Sequence, residues 1–221
     1  MKAREPISTS RRGKVGAARH RKAPSVIVLA AGASSRFQGT KQLAKLGGKT
    51  LIELVIDAIP KAQVKEIVVV LGHGAPAVRK ALADREGIEF VTNAGYEAGM
   101  ASSITTGISR MASSADGVLI LLGDQPFVTR SFLRRMLRVF ESGSSKARIV
   151  AAGYGDLVAP PAVFSREYFQ ELSALEGDQG ARSLVQSHAG SLTVLDVRAK
   201  RMLVDVDTRV DLAAARRLLK P

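Results

Sequence analysis

Hydrophobic residues in this chain fall into short β-branched runs, separated by stretches in which apolar positions recur every three or four residues. The runs predict strands at Val26–Leu29, Glu66–Leu71, Ile88–Val91, Val118–Leu122 and Arg148–Ala152. Between them, helical spacing predicts helices over Thr50–Ile59, Pro76–Ala83, Ala101–Met111 and Arg130–Glu141. In the last of these Leu133, Leu137 and Phe140 return to one face behind Thr129, a residue of N-cap type. Strands alternating with helices predict a mostly parallel sheet covered on both faces, a three-layer α/β/α architecture. Right-handed crossovers then bring the strand C-termini to one edge, where open α/β sheets bind ligands.

After residue 152 the alternation loosens. Gly153-Tyr154-Gly155-Asp156 and Pro160-Pro161 interrupt it. The pattern then predicts short helices at Arg166–Leu175 and Ala181–His188, strands at Leu192–Val197 and Met202–Val206, and an amphipathic helix over Arg209–Leu219. We read residues 25–221 as one domain and 1–24 as a basic, disordered extension.

Charge sharpens that division. The chain of 221 residues carries a formal net charge of +13, yet residues 1–22 hold eight of its lysines and arginines against the single acid Glu5, more than half of the net charge. A surface built for nucleic acid would spread its charge along a folded face, so a basic nucleic-acid-binding protein is the secondary reading. No apolar run follows the tail's charges as a secretory signal requires, and none approaches the roughly 20 residues that span a bilayer. The absence of cysteine removes disulfides, thiolate nucleophiles and cysteine metal sites, and is compatible with the cytoplasm.

Chemistry concentrates where strands end. Val26 to Lys41 reads VIVLAAGASSRFQGTK, an apolar run that breaks into a small-residue loop and then presents Arg36 and Lys41. Gly32 flanked by alanines lets backbone N–H groups approach phosphate oxygens while the two cations balance charge, which suits a nucleoside triphosphate. The spacing matches neither a Walker loop nor a dinucleotide fingerprint. Asp124 closes the run Val118 to Gly123, and two readings stand there: a hard oxygen ligand for Mg2+, or an ordinary turn residue. Asp205 and Asp207 follow another apolar run, with the same pair of readings, a second metal carboxylate or a cap on the last helix in which Thr208 competes. Asn93 to Ser103 opens a helix with short polar groups suited to a base, ribose or phosphate. His20, His73 and His188 lack metal-ligand spacing, and no Gly-x-Ser-x-Gly supports a hydrolase.

Taken in order, LAAGASSRFQGTK at 29–41, NAGYEAGMASSI at 93–104, LLGDQP at 121–126, GDQGAR at 177–182 and DVDT at 205–208 resemble the molybdenum-cofactor nucleotidyltransferases. The resemblance spans about residues 25–220 and is strongest to the cytidylyltransferase branch, which carries Leu-Ala-Ala-Gly where the guanylyltransferase branch has Leu-Ala-Gly-Gly. It implies a Rossmann-like sheet of the nucleotide-diphospho-sugar transferase type. It also implies Mg2+-dependent transfer of CMP from CTP to a molybdopterin-type acceptor, with release of pyrophosphate, and a protein partner that is a molybdoenzyme or its chaperone.

Residue by residue, it carries triphosphate binding onto Leu29, Ala30, Ala31, Gly32, Arg36 and Lys41, and base and ribose contacts onto Asn93, Gly99, Met100 and Ser103. Metal binding goes to Asp124, which we read from the acidic cluster as joined by Asp207, and the catalytic residues are Arg36, Lys41 and Asp124. Ala31 favours CTP over GTP. The chain departs from the family pattern at Phe37-Gln38-Gly39, where Arg-Met-Gly is usual, and at Ala159-Pro160-Pro161, where many members have Gly-His-Pro. The second departure keeps a sugar phosphate or other phosphorylated alcohol as the alternative acceptor.

Overall fold

A computed structural model of the chain describes residues 23–37, 39–111, 113–143, 145, 148–178 and 180–219. The basic extension, apart from residues 23 and 24, lies outside the described residues. Strands β1 (Ser25–Ala30), β4 (Ile67–Leu71), β5 (Glu89–Thr92), β6 (Gly117–Leu122), β7 (Ile149–Tyr154), β8 (Leu157–Ser165) and β9 (Leu192–Asp196) form one sheet in the order β5-β4-β1-β6-β8-β7-β9. Neighbours run parallel except at β8, which is antiparallel to both β6 and β7. A two-residue-per-strand hairpin, β2 (Lys45–Leu46) and β3 (Lys49–Thr50), stands apart.

Helices cover both faces, as the alternation predicts. The chain between β3 and β9 forms α1 (Leu51–Ala58), α2 (Ala75–Ala81), α3 (Met100–Arg110), α4 (Arg130–Ser142), α5 (Phe169–Ser173) and α6 (Arg182–Ser187), and α7 (Arg209–Arg217) follows. Val26, Val28 and Ala30 of β1 pack with α1, α2 and α4, while Ile27, Leu29 and Ala31 pack with α3, α5 and α6. Central parallel strands are buried on both sides, so they read as unbroken Val/Ile/Leu runs, which is why β1, β4 and β6 are visible in sequence. Helix starts follow their caps: Thr50 with Glu53 and Thr208 with Asp211 form capping boxes, and Thr129 accepts from the Phe132 N–H. No described helix is long and apolar enough to cross a membrane.

Three expectations need correction. Pro160-Pro161 interrupts nothing, because β8 runs straight through it. The pairing passes from Ala151 with Ala162 to Ala152 with Ala159, so the two prolines fall in a register shift where no ladder donor is required. Met202–Val206 is not a strand. A 3-10 turn at Lys200–Leu203 leads into extended chain without a ladder, and Leu203 and Val206 bury into two different hydrophobic clusters. Arg166–Leu175 contracts to a 3-10 turn followed by α5.

Candidate active site

The C-terminal ends of β1 and β6 and the segment that follows β5 open onto a cleft of about 460 Å³. Pleating sends Leu29 and Ala31 to the cleft side, whereas Ala30 faces the α1 cluster. The loop after β1 is held from two directions. Ala31 accepts from the His73 N–H at 3.2 Å, and Ser34, at φ 54°, accepts from the Lys41 N–H at 3.3 Å. Phe37 anchors the loop in a third small core with Leu46, Leu51, Val206, Leu212 and Ala215. The family departure at this position is therefore a hydrophobic peg between Arg36 and Lys41. Phe37→Ala is expected to cost about 3 kcal/mol of stability, read as a lowered urea midpoint, with weaker nucleotide binding because the cations lose their frame.

Lys41 is the centre of the site. Its ammonium, largely buried, pairs with Asp124 and with Asp207 Oδ1 at 2.7 Å, and the exposed Arg36 reaches Asp207 Oδ2 with Nη2 at 3.0 Å. Burial alone would depress the Lys41 pKa, but the Asp124 and Asp207 carboxylates outweigh it and hold it above 10.5. Asp207 is likewise opposed by burial, yet the Lys41 hydrogen bond and the Lys41 and Arg36 charges keep it below 3.8. Asp124 is held by its own backbone, which accepts from the Val206 N–H at 3.0 Å and so ties the acidic segment to the turn after β6. One of its carboxylate oxygens, the buried Oδ1, accepts no hydrogen bond from a described residue.

Asp205 diverges from Asp207. Its Oδ1 accepts from Gln125 Nε2 at 2.8 Å, and burial together with the Asp124 charge pushes its pKa to about 6. Because the folded state holds this proton more tightly than the unfolded chain does, Asp205 ionisation opposes folding as pH rises from 3.8 to 6. Asp205→Asn is therefore expected to exceed the wild type in stability above pH 6 and to match it below pH 4. The residue keeps enough solvent contact for screening to hold the gain to about 0.5 kcal/mol; urea midpoints at pH 4 and pH 7.5 check it.

The opposite wall comes from the segment between β5 and α3. Gly99, Met100 and Ser103 line the cleft, but Asn93 does not. Asn93 is buried behind it, donating Nδ2 to Ser102 Oγ at 2.8 Å and Ser103 Oγ at 3.0 Å while accepting from the Gly95 N–H. It shapes the wall. Gly177 caps α3 by accepting from the Ala101 N–H at 3.0 Å. Gly99 has φ 105°, and a Cβ there would lie 2.5 Å from the Gly177 carbonyl oxygen, so only glycine fits under that loop. Gln42, Glu97 and Asp178 also line the cleft. Sequence reasoning gave these no role: Gln42 lies outside the motifs of the resemblance, and Glu97 and Asp178 stood only within them.

The donor set suits a divalent cation. Asp124, with an oxygen lacking a partner, and Asp207 converge on one cationic centre, and no group of three or more His, Asp or Glu among the described residues forms a complete metal cage. Two carboxylates that share a hard dication with substrate phosphates and water are the usual Mg2+ arrangement.

A family model described as a MobA-like NTP transferase domain matches residues 26–192. The bifunctional protein GlmU of Bordetella petrii is 30% identical over 189 residues, covering 83% of this chain, and this chain spans only 41% of that relative's length. The crystal structure of Rv0371c from Mycobacterium tuberculosis is 32% identical, covering 88% of this chain and 98% of that one, with a TM-score of 0.75. Rv0371c has also been solved in complex with manganese, at 29% identity, with 90% of this chain and 100% of that one covered and a TM-score of 0.73. The molybdopterin-guanine dinucleotide biosynthesis protein A of Archaeoglobus fulgidus shares the fold at 20% identity, with 88% and 97% of the two chains covered and a TM-score of 0.63.

Proposed function

This chain belongs to the family of MobA-like NTP transferase domains, and on that footing we propose that it is a Mg2+-dependent nucleotidyltransferase that moves CMP from CTP onto a molybdopterin-type acceptor. Residues 25–221 act as one catalytic domain, with 1–24 as an appended extension. The observation that carries the reading is the largely buried Lys41 ammonium bridging Asp124 and Asp207 in the cleft that the Gly32 loop also lines, with Asp124 Oδ1 left without a partner among the described residues.

In the proposed reaction a phosphate oxygen of the acceptor attacks the α-phosphorus of CTP, the bond from that phosphorus to the bridging oxygen breaks, and pyrophosphate leaves with the electron pair. Such a step rests on positioning and on stabilising developing charge, and it requires no protein nucleophile. The Gly32 loop offers backbone N–H groups to the triphosphate. Arg36, exposed and among the described residues held only to Asp207, can turn to the β- and γ-phosphates, and Lys41 balances charge on the leaving pyrophosphate. Asp124 and Asp207 would hold the divalent ion, which when bound neutralises charge on the α-phosphate.

Ala31 supports CTP over GTP through the family pattern, and the manganese complex of Rv0371c supports a divalent cation. Ala159-Pro160-Pro161, where many family members have Gly-His-Pro, favours as a second reading a phosphorylated sugar or alcohol as acceptor. Mass analysis of incubations with CTP, Mg2+ and each acceptor class separates the two: an adduct one cytidylyl group heavier than the molybdopterin-type acceptor is expected. An adduct only on sugar phosphates would move the assignment to the second reading.

A further inference from the structure

We infer that Glu97 and Asp178 select the nucleotide by accepting a hydrogen bond from an amino group on its base, an inference that rests on the nucleotidyltransferase reading above. The cleft is polarised. Arg36 and Lys41 follow β1, with Lys41 paired to Asp124 at the end of β6, whereas Glu97 lines the wall built after β5 and Asp178, between α5 and α6, lies against that wall at Gly99. In the order β5-β4-β1-β6, strands β5 and β6 lie three spacings apart, about 14 Å in ordinary sheet geometry, a span comparable to an extended nucleotide.

Neither acid forms an ion pair or hydrogen bond with another described residue, although other acids in and around the cleft are partnered: Asp207 with Lys41 and Arg36, Asp205 with Gln125. Asp178 sits at the start of α3, with Oδ1 2.6 Å from where a Cβ on Gly99 would stand. A helix start ordinarily attracts phosphate. Here a carboxylate already faces it and the Ala101 N–H is committed to Gly177, so this end repels the triphosphate and favours neutral donors. That the cleft is built for a ligand has independent support in two of its lining residues, Gln42, 2% exposed, and Asp124, whose buried Oε1 and Oδ1 have no hydrogen-bond partner among the described residues.

The nucleotide is thereby oriented with phosphates on the Gly32 loop and nucleoside toward the acids. Cytosine offers its N4 amino group to a carboxylate, and adenine and guanine offer amino groups too. Where cytosine carries that amino group uracil presents O4, an acceptor, and two acceptors face to face repel, so a carboxylate placed at this ring position meets a donor only in cytosine. The carboxylates therefore discriminate against UTP.

Calorimetric titration of the full chain with CTP and with UTP, each with Mg2+, tests this without needing the acceptor. Wild type is expected to bind CTP about tenfold or more tightly than UTP. Asp178→Asn and Glu97→Gln keep shape and add an N–H that uracil O4 can accept, so the double variant should bring the CTP-to-UTP ratio close to one, partly by tightening UTP. An unchanged ratio in the double variant, or no preference in wild type, overturns the inference while leaving nucleotidyl transfer standing. A variant that alters only discrimination against 2′-deoxy-CTP would show that the acids read the sugar, which also overturns it. Failure of wild type to bind any nucleotide would remove the nucleotidyltransferase reading and this inference together.

Discussion

Asp124→Asn is expected to lower metal-dependent turnover on the order of 10³-fold while the chain still folds. The side chain that changes is almost isosteric, and the backbone hydrogen bond that fixes the turn, Val206 N–H to the Asp124 carbonyl, is untouched. Lys41 retains Asp207 at 2.7 Å, so the loss of one charged partner should cost only about 2 kcal/mol. What disappears is the anionic oxygen pair, one member of which is buried with nothing to accept. The diagnostic comparison is turnover against Mg2+ concentration together with the unfolding midpoint. A folded variant that turns over at the wild-type rate would remove Asp124 from the reaction.

Lys41→Met should have large effects on both stability and binding. Removing the ammonium leaves Asp124, Asp205 and Asp207 around a centre with no buried cation, and leaving buried charge uncompensated costs on the order of 3 kcal/mol near pH 7.5. In wild type the signs are clear. The folded pKa of Lys41 lies above 10.5, so its contribution is complete below that value and lost as pH rises through the folded pKa. Asp207 is held below 3.8, so its contribution is present above that value and lost as pH falls through the folded pKa. The wild-type centre is therefore intact across the neutral range, whereas Lys41→Met should regain stability as pH falls toward 4.5 and its carboxylates take up protons. CTP binding should weaken by about 10- to 100-fold from loss of a charged hydrogen bond to phosphate. Lys41→Arg should not restore function, because a planar fork replaces a point charge shared by two carboxylates. Urea midpoints at pH 4.5 and 7.5 with calorimetric titration of CTP check both parts; equal loss of stability at the two pH values would contradict the electrostatic account.

Legibility in the sequence followed burial. Strands buried on both faces announce themselves as apolar runs, and the N-caps at Thr50, Thr129 and Thr208 mark helix starts by a local hydrogen bond. β8 was hidden because its prolines sit where pairing shifts, a fact belonging to two strands at once. The individual members of the charged centre could be singled out, since each ends or follows an apolar run. Their meeting could not, because Lys41 and Asp207 are 166 positions apart and only the sheet order brings their loops together. The choice between Asp205 and Asp207 was also closed to sequence. Strand alternation would send both the same way, but Met202–Val206 has no ladder, and the two carboxylates part, one to Gln125 and the other to Lys41 and Arg36. Thr208 takes the helix cap, which frees Asp207 for the cations.

The central claim is that the bond broken lies between the α- and β-phosphates of a nucleotide held at the Lys41 centre. Incubating the full chain with Mg2+, acceptor and CTP labelled at either the α- or the γ-phosphate tests it directly. The account predicts that α-label passes to the acceptor and γ-label leaves as pyrophosphate. Transfer of γ-label to the acceptor, or its release as orthophosphate, would contradict nucleotidyl transfer.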